Sequence, residues 1–243
     1  MASSPWDYIA KLVCIGDSGC GKSSLTIRLC EGRFSSHHDV TIGVEFGSRI
    51  VPVGPPHSKP SSSTAESNGL PEPPRDMPQK HMKLSLWDTA GQETYKSVTR
   101  SYFRGASGAL LVFDLSRKNT FQHVTDWLND LRQIAEPDIV VVLVGNKADL
   151  TQQDHNKREV TREEAETWAK RNGVMEYVET SAKSGENVEK AFMRVAERIF
   201  QNIQAGKYDL SDRRSGVKGP GAAASRQVKL TGDPNKSDGG SCC

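Results

Sequence analysis

At 243 residues the chain has room for one α/β domain of ordinary size with appendages, or at most two small domains. Only 35% of its residues are hydrophobic and the mean hydropathy is −0.57, so part of the length is expected to stay unfolded. A net charge of +2 gives no bulk electrostatic case for nucleic acid. No apolar run approaches the roughly 18 residues of a membrane span, and the N-terminus lacks the basic-then-apolar order of a secretory leader.

After an N-terminal extension, 1–7, the first element is the apolar run Tyr8 to Ile15, of strand length. It runs into Gly16-Asp17-Ser18-Gly19-Cys20-Gly21-Lys22-Ser23, a G-x-x-x-x-G-K-[ST] phosphate loop, and then a helical stretch carrying Ser24, Leu25 and Leu29. Glycines let backbone approach a phosphate closely. Successive N–H groups and the dipole of the following helix then favour an anion. Lys22 offers a point charge to β/γ-phosphates, and the Ser23 hydroxyl can ligate Mg²⁺.

A polar loop follows from Glu31 to Val40, and a strand is predicted from Thr41 to about Val53. Residues 54–80 hold seven of the twelve prolines and a serine run, so they are predicted to be a disordered insertion between two strands. The second of these strands, Met82 to Trp87, alternates polar and apolar residues and ends at Asp88. Ala109 to Phe113 and Ile139 to Val144 have the composition of buried parallel strands, with a helical stripe of Phe121, Val124, Leu128 and Leu131 between them. Thr161 and Glu164 form a capping box, Met175 to Glu179 a short strand, and Val188 to Ile199 the apolar stripe of a last helix. The alternation predicts a six-stranded, mostly parallel sheet with helices on both faces, over 8–204, and ligand at the carboxyl ends of the strands. From 205 to 243 no periodicity survives, and a flexible tail is expected. Cys14, Cys20 and Cys30 have no metal-ligand spacing and are expected to be buried or semi-buried; the six histidines form no ligand pattern and are taken as solvated.

The strand ends carry the remaining chemistry. Asp88-Thr89-Ala90-Gly91-Gln92 places a carboxylate opposite the phosphate loop, where it can hold Mg²⁺ through a water, and Gly91 leaves its N–H free to approach a γ-phosphate. Asn146-Lys147-Ala148-Asp149 follows the strand ending at Val144. Ionised Asp149 only accepts hydrogen bonds; guanine presents two adjacent donors, whereas adenine would leave the charge unpaired. Asn146 would tie this loop to the phosphate loop, and the stem of Lys147 would cover one face of the base. Thr180-Ser181-Ala182-Lys183, after the last strand, would bring the Ala182 N–H to guanine O6.

With these motifs in this order the chain resembles a Ras-superfamily small GTPase of the P-loop NTPase fold, and within it the Rab family. Ile42 to Phe46, Lys83 to Trp87, Trp87 to Glu93, Ser101 to Ala106 and Leu111 to Ser116 resemble the five segments that distinguish Rabs; Phe103 stands where tyrosine is more usual. The resemblance implies GTP/GDP and Mg²⁺ as ligands. Thr41 would join Ser23 and Asp88 at the metal, Phe34 would cover the guanine, and Gln92 would be the catalytic residue by orienting the attacking water. No arginine in cis is evident, so turnover is expected to be slow without a GTPase-activating protein. An exchange factor, a dissociation inhibitor, a prenylation escort protein and effectors are implied, with no nucleic acid and a monomeric protein. The terminal Cys242-Cys243 resembles a double geranylgeranylation signal, since two lipid chains anchor stably where one does not. The strand from Thr41 resembles the branch acting on the cytosolic face of Golgi and recycling-endosome membranes, cycling with cytosol. Two other readings are a tethered binding module without meaningful hydrolysis, opposed by Thr41 and Gln92, and a P-loop kinase or ATPase, opposed by Asn146 to Asp149.

Overall fold

Two continuous apolar runs, buried on both faces, form the middle of the sheet, as parallel strands covered by helices on each side require. The computed structural model describes residues 5–36, 41–55, 78–91, 100–212 and 215–219. Its strands are β1 (Tyr8–Ile15), β2 (Val44–Val53), β3 (Lys80–Thr89), β4 (Gly108–Asp114), β5 (Val140–Asn146), β6 (Glu176–Glu179) and β7 (Val217–Lys218). Its helices are α1 (Lys22–Glu31), α2 (Lys118–Gln122), α3 (Val124–Ile134), α4 (Ala148–Gln153), α5 (Arg162–Arg171) and α6 (Val188–Gln204), with a 3₁₀ turn at His155–Lys157.

The strand order is β2-β3-β1-β4-β5-β6, with only β2 antiparallel along this path. Alternation along β1 divides the core: Ala10, Leu12 and Cys14 face α1 and α6, while Val13 and Ile15 face α2, α3 and α5. Phe103 is fully buried in the second layer, where a phenol would need a partner. Thr161 caps α5 by accepting from the Glu164 N–H at 3.2 Å, as the capping box predicts. The P-loop NTPase fold is thus present, with the strands β1, β3, β4, β5 and β6 ending along one edge.

Four expectations need correction. Among the described residues the sheet has seven strands, because Val217–Lys218 pairs antiparallel with Ile9 and Ala10, ahead of the point where β4 joins β1. Val217 is fully buried, and Tyr208 and Leu210 pack on the same core, so the chain beyond 204 is not uniformly a loose tail. The strand expected from Thr41 begins at Val44, because Gly43 adopts φ +79° and turns 41–42 out of the ladder. The insertion's stems are ordered: Gly54 donates its N–H to the Glu197 carboxylate, and Gln79 donates to Val53 O. Residues 56–77 lie outside the described residues. Their stems stand at the Val53–Lys80 end of the hairpin, opposite the Val44–Thr89 end that leads to Asp88.

Candidate functional site

The phosphate loop is shaped by what it must pass. Gly16 has φ +135°, and a Cβ on it would overlap the Val112 carbonyl oxygen; Gly21, φ +89°, would collide with the Asn146 amide. The loop feeds α1 directly, so the helix N-terminus opens towards the cavity. Lys22, almost fully buried, curls back over the loop and donates to Gly16 O and Asp17 O, each at 2.9 Å. Burial pushes its ammonium pKa down, and the nearby Asp88 carboxylate opposes that shift. Burial, assisted by Asp88, pushes the neighbouring Cys14 thiol up to about 12, which leaves it a small apolar residue.

Above the loop lies a cavity of about 440 Å³, within the range of small-ligand sites. Its phosphate end is lined by Ser18, Gly19, Gly21, Lys22, Ser23 and Ser24; Phe34, Thr41 and Gly91 close one side. The Ser23 and Thr41 hydroxyls stand 2.8 Å apart, and Asp88 is wholly buried at the end of β3. Hydroxyls and a carboxylate are the hard oxygen donors that suit Mg²⁺ together with phosphate oxygens. Gly91 is pressed against the phosphate loop so closely that a Cβ would overlap the Lys22 amine and the Asp17–Ser18 peptide. The Ala90 N–H donates to Gly43 O at 2.9 Å, coupling the segments that carry Gly91 and Thr41.

The far end of the cavity is lined by Asn146, Lys147, Asp149, Ala182 and Lys183. Asn146 is buried and central: its Nδ2 donates to Cys20 O at 2.8 Å, and its Oδ1 accepts from the Ala182 N–H and the Thr180 hydroxyl, both at 3.2 Å. Asp149 Oδ1 accepts from the Ser181 hydroxyl at 2.7 Å, which orients the carboxylate beside the cavity. Arg28 of α1 donates to Ala182 O and Lys183 O at 2.8 and 2.5 Å and so holds the last loop against the first helix.

The cradle and its hard donors therefore fit a nucleotide with Mg²⁺, although not every expected residue faces the cavity. Cys20, Ser181 and Asp88 are fully buried behind it. The Ala182 N–H, expected to await a base oxygen, is engaged by Asn146. His123 is exposed, as expected of a solvated histidine, and also bonds Asp17 through Nδ1 at 2.7 Å, while the Trp127 indole N–H donates to the other Asp17 oxygen at 2.8 Å. Gln92, Cys242 and Cys243 lie outside the described residues. Arg28, Asp114, Arg117 and Trp127 all touch the site's loops and were not legible as site residues, since each acts through a neighbour rather than a motif. Residues 11–201 match the Ras family model, well over half of the chain. With a phosphate loop, a hydroxyl pair and a base-end carboxylate on one sheet edge, the chain belongs to the Ras family of small GTP-binding proteins.

Proposed function

We propose that the protein is a Rab-type small GTPase that binds GTP, hydrolyses it slowly to GDP, and in the GTP state recruits effectors in vesicle trafficking. The observation that carries the Rab reading is an aromatic group drawn from three of the segments that resemble Rabs. Phe46, 66% exposed, packs edge-on against Trp87 at 4.6 Å, and Tyr102 tilts against Trp87 at 5.6 Å. An exposed aromatic beside the two nucleotide-facing segments suits a partner that senses the nucleotide state.

In this reading the phosphate-loop N–H groups and Lys22 hold the phosphates, Asp149 and Lys147 hold the guanine, and Phe34 covers it. Ser23, Thr41 and Asp88 hold Mg²⁺, which when bound neutralises phosphate charge. Gln92 orients the attacking water. Thr41 and Gly91 each contact the γ-phosphate, so its loss releases the segments around them together; the bond from Ala90 N–H to Gly43 O supports that coupling. Activating protein, exchange factor, dissociation inhibitor and escort protein act on this cycle. Paired geranylgeranyl groups on Cys242 and Cys243 hold the protein on Golgi or endosomal membranes, from which it cycles to cytosol.

Single-turnover GTP hydrolysis tests the enzyme reading. Wild type is expected to turn over slowly, faster with a Rab-directed activating protein, and Gln92→Leu to lose most of the intrinsic rate. Equal rates for the two proteins would remove Gln92 from the mechanism. Imaging the tagged chain beside one lacking Cys242 and Cys243 tests the membrane reading: a membrane pattern that survives the deletion contradicts it.

A further inference from the structure

Asp114 ends β4 and does not line the cavity, yet both ends of the site converge on it. Its side chain is 1% exposed. Oδ1 accepts from the Ser116 N–H at 2.9 Å and the Ser116 hydroxyl at 2.7 Å. Oδ2 accepts from Arg117 Nε at 3.0 Å and from Lys147 Nζ at 2.7 Å. Each cation leads to a different part of the site. Lys147 lines the cavity and holds a left-handed backbone, φ +68°, which is uncommon for a residue with a Cβ. Arg117 extends the other way: its Nη2 donates to Ser18 O in the phosphate loop at 3.1 Å, and the guanidinium stands 3.3 Å from where a Gly19 Cβ would lie.

We propose that Asp114 is a positioning residue for nucleotide retention: one buried carboxylate holds the base loop, through Lys147, and the phosphate loop, through Arg117, in fixed register. Burial raises the cost of the charge, while the hydrogen bonds from Lys147 and Ser116 outweigh it and keep the carboxyl ionised. Remove that charge and two cations share one small space with no counter-ion. Both side chains are partly exposed, so both can swing to solvent, and Ser18 O loses its donor as Lys147 loses its tether. A ligand confined to one loop would tolerate the change. A nucleotide spans both loops, so a register error costs it contacts at one end or the other. The inference rests on guanine-nucleotide binding by the family and stands apart from the Rab assignment.

The test is GDP release from the full-length, Mg²⁺-loaded protein, chased with excess unlabelled GDP, in wild type, Asp114→Asn, Arg117→Gln and the double variant. Asp114→Asn is expected to speed release by about 10- to 100-fold, the scale of a lost charge-assisted hydrogen bond. Arg117→Gln alone has a smaller effect, and the double variant releases within about twofold of Asp114→Asn, because Arg117 acts through the carboxylate. A role confined to the fold would lower the urea midpoint and leave release unmoved. Release from Asp114→Asn within about twofold of wild type, or single effects that multiply in the double variant, overturns the proposal. Should Asp114→Asn fail to fold, Arg117→Gln and Arg117→Lys decide. Both are expected to speed release, since a point ammonium cannot bridge Asp114 and Ser18 as a forked guanidinium does; wild-type rates in both would overturn it.

Discussion

Asn146→Ala removes the residue on which the two loops meet. Asn146 is 1% exposed, and its side chain makes three hydrogen bonds, one given to Cys20 O and two received from the Ala182 N–H and the Thr180 hydroxyl. At about 0.5–1.5 kcal/mol each, with buried groups left unpaired, the loss comes to about 2–4 kcal/mol. The bond to Cys20 crosses between base loop and phosphate loop, so part of that loss falls on nucleotide binding and the rest on the fold. GDP release is expected to rise about 10- to 100-fold, with a lower urea midpoint for the GDP-loaded protein. Asn146→Asp separates shape from donor capacity: it keeps the outline and sets a carboxylate oxygen against Cys20 O. Release at least as fast as from the alanine variant is expected. If both variants retain GDP within about threefold of wild type, this side chain does not join the loops.

Three further outcomes follow from the geometry. Replacing 56–77 with a short turn is expected to leave GDP affinity unchanged, because its stems stand at the end of the hairpin opposite Asp88; a loss of about tenfold, measured by titration, would place the insertion near the nucleotide after all. Val217→Ala is expected to cost about 1–2 kcal/mol in urea unfolding, since Val217 is fully buried where β7 meets β1, while Lys218→Ala, half-buried, costs little; equal and negligible effects would show that β7 is not docked in solution. Glu179 carries an acid-limb prediction. Burial alone would raise its carboxyl, but hydrogen bonds from Arg158 and Tyr177 outweigh that and hold it below its usual value of 4.5. The unfolded chain then binds the proton more readily, so the contribution is whole above the ordinary carboxylate range and is lost as pH falls through the depressed value. Glu179→Gln is expected to flatten the slope of unfolding free energy against pH in that window; an unchanged slope would remove the pair from acid stability.

What could be read from the residues was what depends on local chemistry. Gly16 and Gly21 announce a backbone that no Cβ permits, and the run Val140 to Val144 announces a strand buried on both faces. The tie from Asn146 to the phosphate loop was also legible, because both partners lie in motifs. The Asp114–Lys147 pair was not: it exists because β4 and β5 set Asp114 directly opposite Asn146, a register that no sequence pattern states. Arg28 and Trp127 are illegible for the same reason, being helix residues whose reach is fixed by packing. The tail strand leaves no sequence signal, because Val217–Lys218 is too short to show a period among glycines and charges. The β-branched neighbours of Thr41 suggest a strand, whereas Gly43 breaks the ladder and leaves the Thr41 hydroxyl to meet Ser23.

Asp149 carries the assignment of the far end of the cavity to a base, and Asp149→Asn tests it directly. The amide sets a donor where the carboxylate had an acceptor, which mismatches the guanine 2-amino group and matches the 2-oxo group of xanthine. Affinities for GDP and xanthosine diphosphate, measured side by side on wild type and variant, are expected to invert, with GDP weakened by about 100-fold or more. A variant that keeps its affinity for GDP and gains none for xanthosine diphosphate would contradict the assignment of that end of the cavity to guanine.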